Sequence, residues 1–332
     1  EGGIFPLCTS PLTGFPSFLE VSSVYDGIPY GRYLDTSSCR VSVDNIRLKF
    51  TYKYQNFDYE KKETILSIDQ LSKLIDNMFF HNCDTQWSFK DFFKIGSYCR
   101  TCTLSGLGWS CAVLFGRYCY DASCKQIAPE VVFDFNPNKV PAEVLKQVIS
   151  HLRGPALTVQ LLRFDIAFDF PCKRDAITLV QDRRRSYRLF REEGAITEYQ
   201  GARGSHGSLK LYDKTKESCL SCDVTRCEIT VGGGYAGTLA DIFPKMYCFD
   251  SLQFSLDFSS LPFAIKACVL YPDLIDLLAS SGDKKTRRKY LSMLDSVTSS
   301  SLVPDNWLAV DHFISSVLFD YIGPYTQRRC SV

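Results

Sequence analysis

Three short runs in the second half of the chain alternate apolar residues with groups able to hold a cation or attack phosphorus: RFDIAFDF at 163–170, SLKLYDK at 208–214 and TRCEITV at 225–231. Successive side chains of a strand leave on opposite faces, so each run divides into two sets. Phe164, Ile166, Phe168 and Phe170 share one face and leave Arg163, Asp165, Ala167 and Asp169 on the other. Leu209 and Leu211 turn inward with Asp213 at the edge, while Lys210, Tyr212 and Lys214 emerge together. Cys227, Ile229 and Val231 are the inward set of the third run, and Arg226, Glu228 and Thr230 the outward set. In one sheet, these strands place three carboxylates, a tyrosine and several cations on a single polar face.

Carboxylates without histidine or cysteine select hard, oxygen-seeking cations, which makes Asp165, Asp169 and Glu228 candidate ligands for Mg2+ or Mn2+. Tyr212, with a lysine two residues away on each side, is a candidate phosphate-seeking nucleophile. An unperturbed phenol has a pKa of about 10, so it needs help to attack. A metal polarising the phosphoryl oxygens supplies part of it, and Lys210, Lys214 and Arg203 receive the developing charge. Solvated or salt-bridged aspartates around an ordinary strand tyrosine are the bland alternative. Three period-2 patterns converging on one face favour the chemical reading. Tyr187, Tyr199 and Tyr235 lie in the same region, and Tyr199 is the competitor because it can share a face with Arg203.

Together with FDFNPNK at 133–139 and TEYQGARGSHGSLKLYDKTKE at 197–217, the runs RFDIAFDF and RCEI resemble the replication initiators of small rolling-circle plasmids, the Rep_trans or replication initiation factor family. The resemblance spans residues 130–320 and implies nicking of one strand at a plasmid or phage origin, a covalent 5′-phosphotyrosine, and rejoining after replication. The matching tyrosine is Tyr212, and the acidic positions are Asp165, Asp169 and Glu228. Origin DNA, a homodimer and a host helicase are the implied partners, in a bacterial cytoplasm. Two alternatives remain: a relaxase of a conjugative or mobilisable element, and a DNA-binding regulator of the same fold that does not cleave. The cysteine-rich stretch from Cys219 to Cys227 departs from the family pattern.

Composition sets the frame. The 332 residues, 45% hydrophobic and 23% charged, suit a folded chain with one large core or two smaller ones. A net charge of +1 neither supports nor excludes nucleic acid, so any DNA contact rests on local patches. Fifteen cysteines, an odd number, with no signal-peptide pattern at EGGIFPLCTSPLTGFP, point to free thiols in a reducing cytosol rather than disulfides. The pairs Cys99 with Cys102 and Cys219 with Cys222 have zinc-ligand spacing and leave structural zinc open. No run of apolar residues is long enough to span a membrane. His81, His151, His206 and His312 are scattered, so a metal site must be built on carboxylates, with His206 a loop candidate for ligation or leaving-group assistance.

The elements that must position these groups follow from periodicity. Residues 1–40, rich in Gly, Pro and Ser, form an irregular arm. VSVDNIRLKFTYKY at 41–54 is a strand with Ile46, Leu48, Phe50 and Tyr52 on one face and Asn45, Arg47, Lys49 and Lys53 on the other. A helix over 68–80 follows, then strands near 97–105, 109–117 and 129–135, and a helix from Pro141 to Gly154. The plan then repeats: a strand at 158–170, a helix at 175–189 carrying Arg183, Arg184 and Arg185 as a second basic cluster for DNA contact, and strands near 196–202, 207–214 and 225–231. The chain is therefore expected to be α+β, with two related antiparallel-sheet-plus-helix halves: a degenerate copy at 41–157 and a catalytic copy at 158–260. A helical segment at 261–332 completes it, with helices at 262–280, 283–297 and 305–321. The middle helix opens on Asp283 and carries Lys284, Lys285, Arg287 and Arg288, a cluster suited to DNA phosphates.

Overall fold

The computed structural model describes residues 32–52, 57–58, 63–64, 86–91, 98–106, 108–116, 130–154, 156–182, 184–192, 194–248, 267, 274, 283–297 and 302–323. The first strands are β1 (Tyr33–Asp35), β2 (Arg40–Tyr52), β3 (Phe57–Asp58), β4 (Glu63–Thr64), β5 (Gln86–Asp91), β6 (Tyr98–Gly106), β7 (Trp109–Gly116) and β8 (Glu130–Phe135). After them come β9 (Ala156–Phe170), β10 (Ile177–Leu179), β11 (Tyr187–Glu192), β12 (Ala195–Gln200), β13 (Leu209–Asp213), β14 (Thr225–Gly232) and β15 (Met246–Cys248). The chain is mixed α and β, and eleven of the described strands form one large sheet in which the described pairings are antiparallel.

The sheet runs β11-β12-β13-β14-β9-β2-β8-β7-β6-β5, with β1 beside β2. Its centre is the long pair β2 and β9, and each of the two takes back the last strand of a four-strand run: β8 beside β2, β14 beside β9. The alternation read from the sequence holds along both central strands. Val41, Val43, Ile46, Leu48 and Phe50 of β2 and Phe164, Ile166, Phe168 and Phe170 of β9 are buried on one face. Two helices cover that face. Ala142–Arg153 contributes Val144, Leu145, Val148, Ile149 and Leu152, and Trp307–Ile322 contributes Val310, Ile314, Val317, Tyr321 and Ile322 to the same core. Pro141 is the N-cap of the first helix, where its missing N–H costs nothing. Arg153 ties the two together by donating to the carbonyls of Tyr321 and Ile322, each at 2.7 Å, where a helix C-terminus has carbonyls without partners. With one face sealed by helices, the polar residues of the alternation are left on the other.

The helix expected over 175–189 is absent. Arg174–Ala176 is a single 3-10 turn, and the chain continues as β10, paired with β15, and then as β11. Ile177, Thr178 and Val180 are β-branched and stiff at χ1, and Ile177 and Leu179 are buried with period 2, so a strand fits the stretch better than a helix. Asp182 turns the chain by accepting the Arg184 amide at 3.0 Å. The helix at 283–297 is found as Lys284–Val297, with the Asp283 carboxylate accepting the Thr286 amide at 2.8 Å. The last helix ends at Ile322 with Gly323 beyond it. The helix over 68–80, most of that over 262–280 and most of the N-terminal arm lie outside the described residues. Among the described residues, no helix is long and apolar enough to cross a membrane.

Candidate functional site

Tyr212 and Glu228 form the centre of the polar face. Antiparallel pairing sets Tyr212 opposite Arg226 and Lys210 opposite Glu228 on β13 and β14, so the phenol reaches its carboxylate on the diagonal. Tyr212 Oη donates to Glu228 Oε1 at 2.6 Å. Lys210 Nζ sits 3.6 Å from the centre of the phenol ring and Lys214 Nζ 6.0 Å from it. The tyrosine is only 4% exposed. Burial pushes its phenol far above the ordinary value; Arg226 opposes that shift and the Glu228 carboxylate adds to it. Burial, with the Asp44 carboxylate, also raises Glu228, against the Tyr212 hydrogen bond and the cations Lys210 and Arg226. The hydrogen bond gives the donor and acceptor geometry that general-base removal of the phenol proton requires, while burial and the carboxylate's charge oppose that loss.

The three candidate metal ligands share this face, because β9 and β14 pair Asp169 with Arg226, Ala167 with Glu228 and Asp165 with Thr230. They do not share a role. Both Asp169 oxygens are engaged by Arg226, from Nε at 2.6 Å and Nη2 at 2.7 Å, and Asp169 is 2% exposed. Arg226 Nη1 also lies 3.3 Å from Asp44. The alternation places Asp169 on the polar face, and a cross-strand arginine buries it there in a salt bridge. Asp165 differs. Its Oδ1 is buried without a hydrogen-bond partner, and burial raises its carboxyl, against the opposing pull of Thr230 and Arg163 and with the Asp44 and Asp134 carboxylates adding to the rise. Among the described residues, no three His, Cys, Asp or Glu side chains are disposed to hold a metal ion.

Asp44 and Arg226 are site residues that the sequence reading did not single out. Asp44 occupies a register shift between Val43 and Asn45 in the β2 and β9 pairing, where an extra residue re-aims its side chain. From there it accepts Asn136 Nδ2 at 3.1 Å and faces Arg226. The signal was present: the buried positions of β2 run Val41, Val43, Ile46, Leu48, Phe50, and the step of three at Ile46 breaks the period of two.

Other expected residues fall elsewhere. Lys214 is not on the strand face; β13 ends at Asp213, whose carboxylate accepts the Lys216 amide at 3.0 Å and caps a short helix, Lys214–Ser218. Lys214 is buried there and paired with Glu217. Arg203 is exposed in the loop before Leu209, itself three residues from Tyr212 and so about 10 Å along the strand. That loop is fixed to β9 by Arg163, whose Nη1 donates to the Gly204 carbonyl at 3.2 Å. His206 belongs to the same end, its ring tilted 34° against that of Tyr235 with centres 4.3 Å apart and accepting the Gly232 amide at 3.3 Å. Arg184 and Arg185 lie in the turn before β11 rather than on a helix: both pair with Asp182, and Arg185 also donates to the Gly207 carbonyl. Arg183 lies outside the described residues.

Tyr187 is on β11 and donates to Glu198 at 2.5 Å, next to the buried Arg174 to Glu198 ion pair. Tyr199 stands opposite Lys210 and beside Phe190. Lys284, Lys285 and Arg288 are exposed on the helix Lys284–Val297, with Arg287 partly covered. Cys219, Cys222 and Cys227 are free thiols; Cys227 is fully buried in the core while Cys219 is exposed in the left-handed region at φ 51°.

No protein-family model matches the sequence, and no curated protein matches it. Among solved structures, the chain is similar to the rolling circle replication initiator protein from Geobacillus stearothermophilus, at 14% identity and a TM-score of 0.34, over 80% of this chain and 99% of that one. At that distance no residue role passes from one chain to the other.

Proposed function

We propose that the chain initiates rolling-circle replication by nicking one DNA strand at an origin, with Tyr212 as nucleophile and Glu228 as the base that takes its proton. The observation that carries this reading is the 2.6 Å hydrogen bond from Tyr212 Oη to Glu228, lidded by Lys210. In the step, the phenol oxygen bonds to phosphorus as the bond from phosphorus to the 3′ oxygen breaks; the phenol proton goes to Glu228, and the departing 3′ oxygen takes a proton from solvent water to become the 3′ hydroxyl. The phosphotyrosine keeps the bond energy for rejoining. Lys210 sits where it can take up charge on the phosphate, with Lys214 behind it.

Mg2+ or Mn2+ on Asp165, Asp169 and Glu228 belongs to the reading and would polarise the phosphoryl oxygens. As they stand, the three do not fit an ion: Asp169 is spent on Arg226, Glu228 receives Tyr212, and only Asp165 offers a buried oxygen without a partner. No step above passes through the metal. The two halves are read as copies of one unit, a reading supported by the way β2 and β9 each take back the last strand of a four-strand run. A homodimer, a host helicase and a bacterial cytoplasm complete the proposal on the family resemblance alone.

Lys284, Lys285, Arg287 and Arg288 supply the phosphate contacts for recognition. They crowd the first turns of a helix with no acidic residue in its first turn, where the dipole disfavours cations, so helix stability does not account for them. Neutralising all four should weaken DNA binding and flatten the slope of log affinity against log salt by about 0.9 for each phosphate that is no longer neutralised. An unchanged slope would make the helix a solvated face.

The decisive test uses 3′-labelled single strands tiled along the replicon that encodes the chain. Wild type should carry label on a denaturing gel, Tyr212→Phe should bind equally and carry none, and Tyr199→Phe should only slow the reaction. Label on Tyr212→Phe that disappears in Tyr199→Phe would move the nucleophile. EDTA and Asp165→Asn each report on the ion, and full cleavage under both removes it from the mechanism. A second reading, DNA binding without cleavage, draws on the burial of Tyr212 and the Arg226 lock on Asp169. It predicts tight binding and no label with any strand.

A further inference from the structure

The polar face does not end at Tyr212. Following the register outward, Tyr212 stands opposite Thr197 and Thr197 opposite Phe190, while Lys210 stands opposite Tyr199 and Tyr199 opposite Arg188. Two cross-sheet rows therefore leave the nucleophile toward the edge strand β11: Tyr212, Thr197, Phe190, and Lys210, Tyr199, Arg188. Phe190 is 52% exposed, unusual for a phenylalanine whose alternation puts it on a charged face. Its ring meets that of Tyr199 at 90° with centres 5.6 Å apart, so the pair is held edge-on rather than buried against a core. Arg188 is exposed and Lys210 half-buried, placing a cation on either side of Tyr199. Glu192, at the end of β11, is the one carboxylate that this face of β11, β12 and β13 carries among the described residues.

We propose that Phe190 and Tyr199, flanked by Arg188 and Lys210, form a stacking platform for the bases of single-stranded DNA next to the scissile phosphate. This rests on the nicking reading for its position but not for its measurement. Aromatic rings with interleaved cations are the chemistry that holds single strands without reading sequence: every base has a π-face, and each phosphate wants a counter-charge. The spacing agrees. Two strand separations put Phe190 about 10 Å from Tyr212 along their row, so a phosphate delivered to Tyr212 leaves a neighbouring base over the ring. A protein partner adding a strand to β11 is the competing occupant of this edge. The cations beside the ring favour a polyanion instead.

The test is anisotropy of fluorescein-labelled oligothymidine titrated with protein in the Tyr212→Phe background, where no cleavage intervenes. Phe190→Ala should weaken binding on the order of tenfold, the loss of one stacked base. Phe190→Leu should lose as much, because leucine keeps the apolar bulk without a π-face. Phe190→Trp should retain binding and show indole quenching as DNA is added. Unchanged affinity in Phe190→Ala and Phe190→Leu overturns the platform, as does a variant that alters only the sedimentation of the protein. The outcomes separate the two claims: weakened binding in Phe190→Ala with no covalent label in wild type keeps the platform and removes nicking, whereas label with unaltered binding does the reverse.

Discussion

The two flanks of the central β2 and β9 pair carry the same kinds of residue and arrange them differently. On the first flank, Arg47 donates to Asp134 through Nε at 2.7 Å and Lys49 to Glu130 at 3.0 Å, with Asn45 donating to the other Asp134 oxygen at 2.8 Å. Each cation there meets a carboxylate of β8, and the side chains stay between 17% and 36% exposed. On the second flank, the side chains of Arg226 and Asp169 are 5% and 3% exposed, and the carboxylate left over, Glu228, is met by a phenol rather than a cation. Charge on the first flank is matched and wet. On the polar face of the second, Arg226 and Asp169 match in a dry setting, and a proton on Tyr212 meets the Glu228 carboxylate. A face that only needed to be soluble would use the first arrangement on both sides. Asp44 joins them, accepting Asn136 from one flank and facing Arg226 of the other.

The largest effect that separates the flanks is on stability. Breaking a buried pair leaves an uncompensated charge, at a cost of about 3–5 kcal/mol, far beyond what the pair itself contributes. Asp169→Asn should reduce the unfolding free energy from urea titration by that much, Arg226→Met, which strands the Asp169 carboxylate, should cost a similar amount, and the double variant Asp169→Leu/Arg226→Met should cost less than either. A cost in Asp169→Asn no larger than that of a surface pair would mean that Arg226 finds another carboxylate, with Asp44 the candidate.

Much of this was legible in the sequence and some was not, for reasons that differ by residue. The period of two placed Lys210, Tyr212, Glu228, Asp169 and Asp165 on one face, and the register agrees, because a strand covered on one side by helices fixes which side chains point away from the core. Alternation says nothing about what stands across the strand, so the Arg226 lock on Asp169 was invisible. Lys214 was misplaced because Asp213, an N-cap, ends the strand one residue early. The turn at Asp182 hid β11: three arginines and a tyrosine read as a helix face when ITL before them was already a strand. Arg184 and Arg185 accordingly stand in a turn, paired with Asp182, rather than on a helix.

A middle-sized effect should appear in pH dependence. Burial raises the Asp165 carboxyl in the folded protein. A carboxyl raised on folding adds stability while it is protonated, in full below the unfolded value of about 3.9, and loses that contribution as pH rises through the folded value. Wild type therefore carries a penalty near neutrality that an amide lacks. Asp165→Asn should be more stable than wild type at pH 7, by about 1 kcal/mol given one buried oxygen without a partner, and the gap should close as pH falls toward 4. Urea midpoints across pH 3.5–8 decide it. A gap that is flat with pH, or that widens in acid, would show Asp165 ionised and paired in the fold, making it part of the wet kind of face after all.

The smallest effect is the control for the whole comparison. Lys49 and Glu130 are 23% and 36% exposed, and a pair in that setting gains little from Coulomb attraction through solvent and loses side-chain entropy in holding its geometry. A double-mutant cycle with Lys49→Gln and Glu130→Gln should give a coupling of about 0.2–1 kcal/mol, halved or less when salt is raised to about 1 M, where the Debye length falls to about 3 Å. The corresponding cycle on Arg226 and Asp169 should be several times larger and nearly indifferent to salt, since ions do not reach a pair 5% and 3% exposed. Equal couplings on the two flanks, with equal salt dependence, would mean that burial does not distinguish them. The dry setting invoked for Tyr212 and Glu228 would then lose its support, because the same strand, β14, carries Glu228 two residues from Arg226.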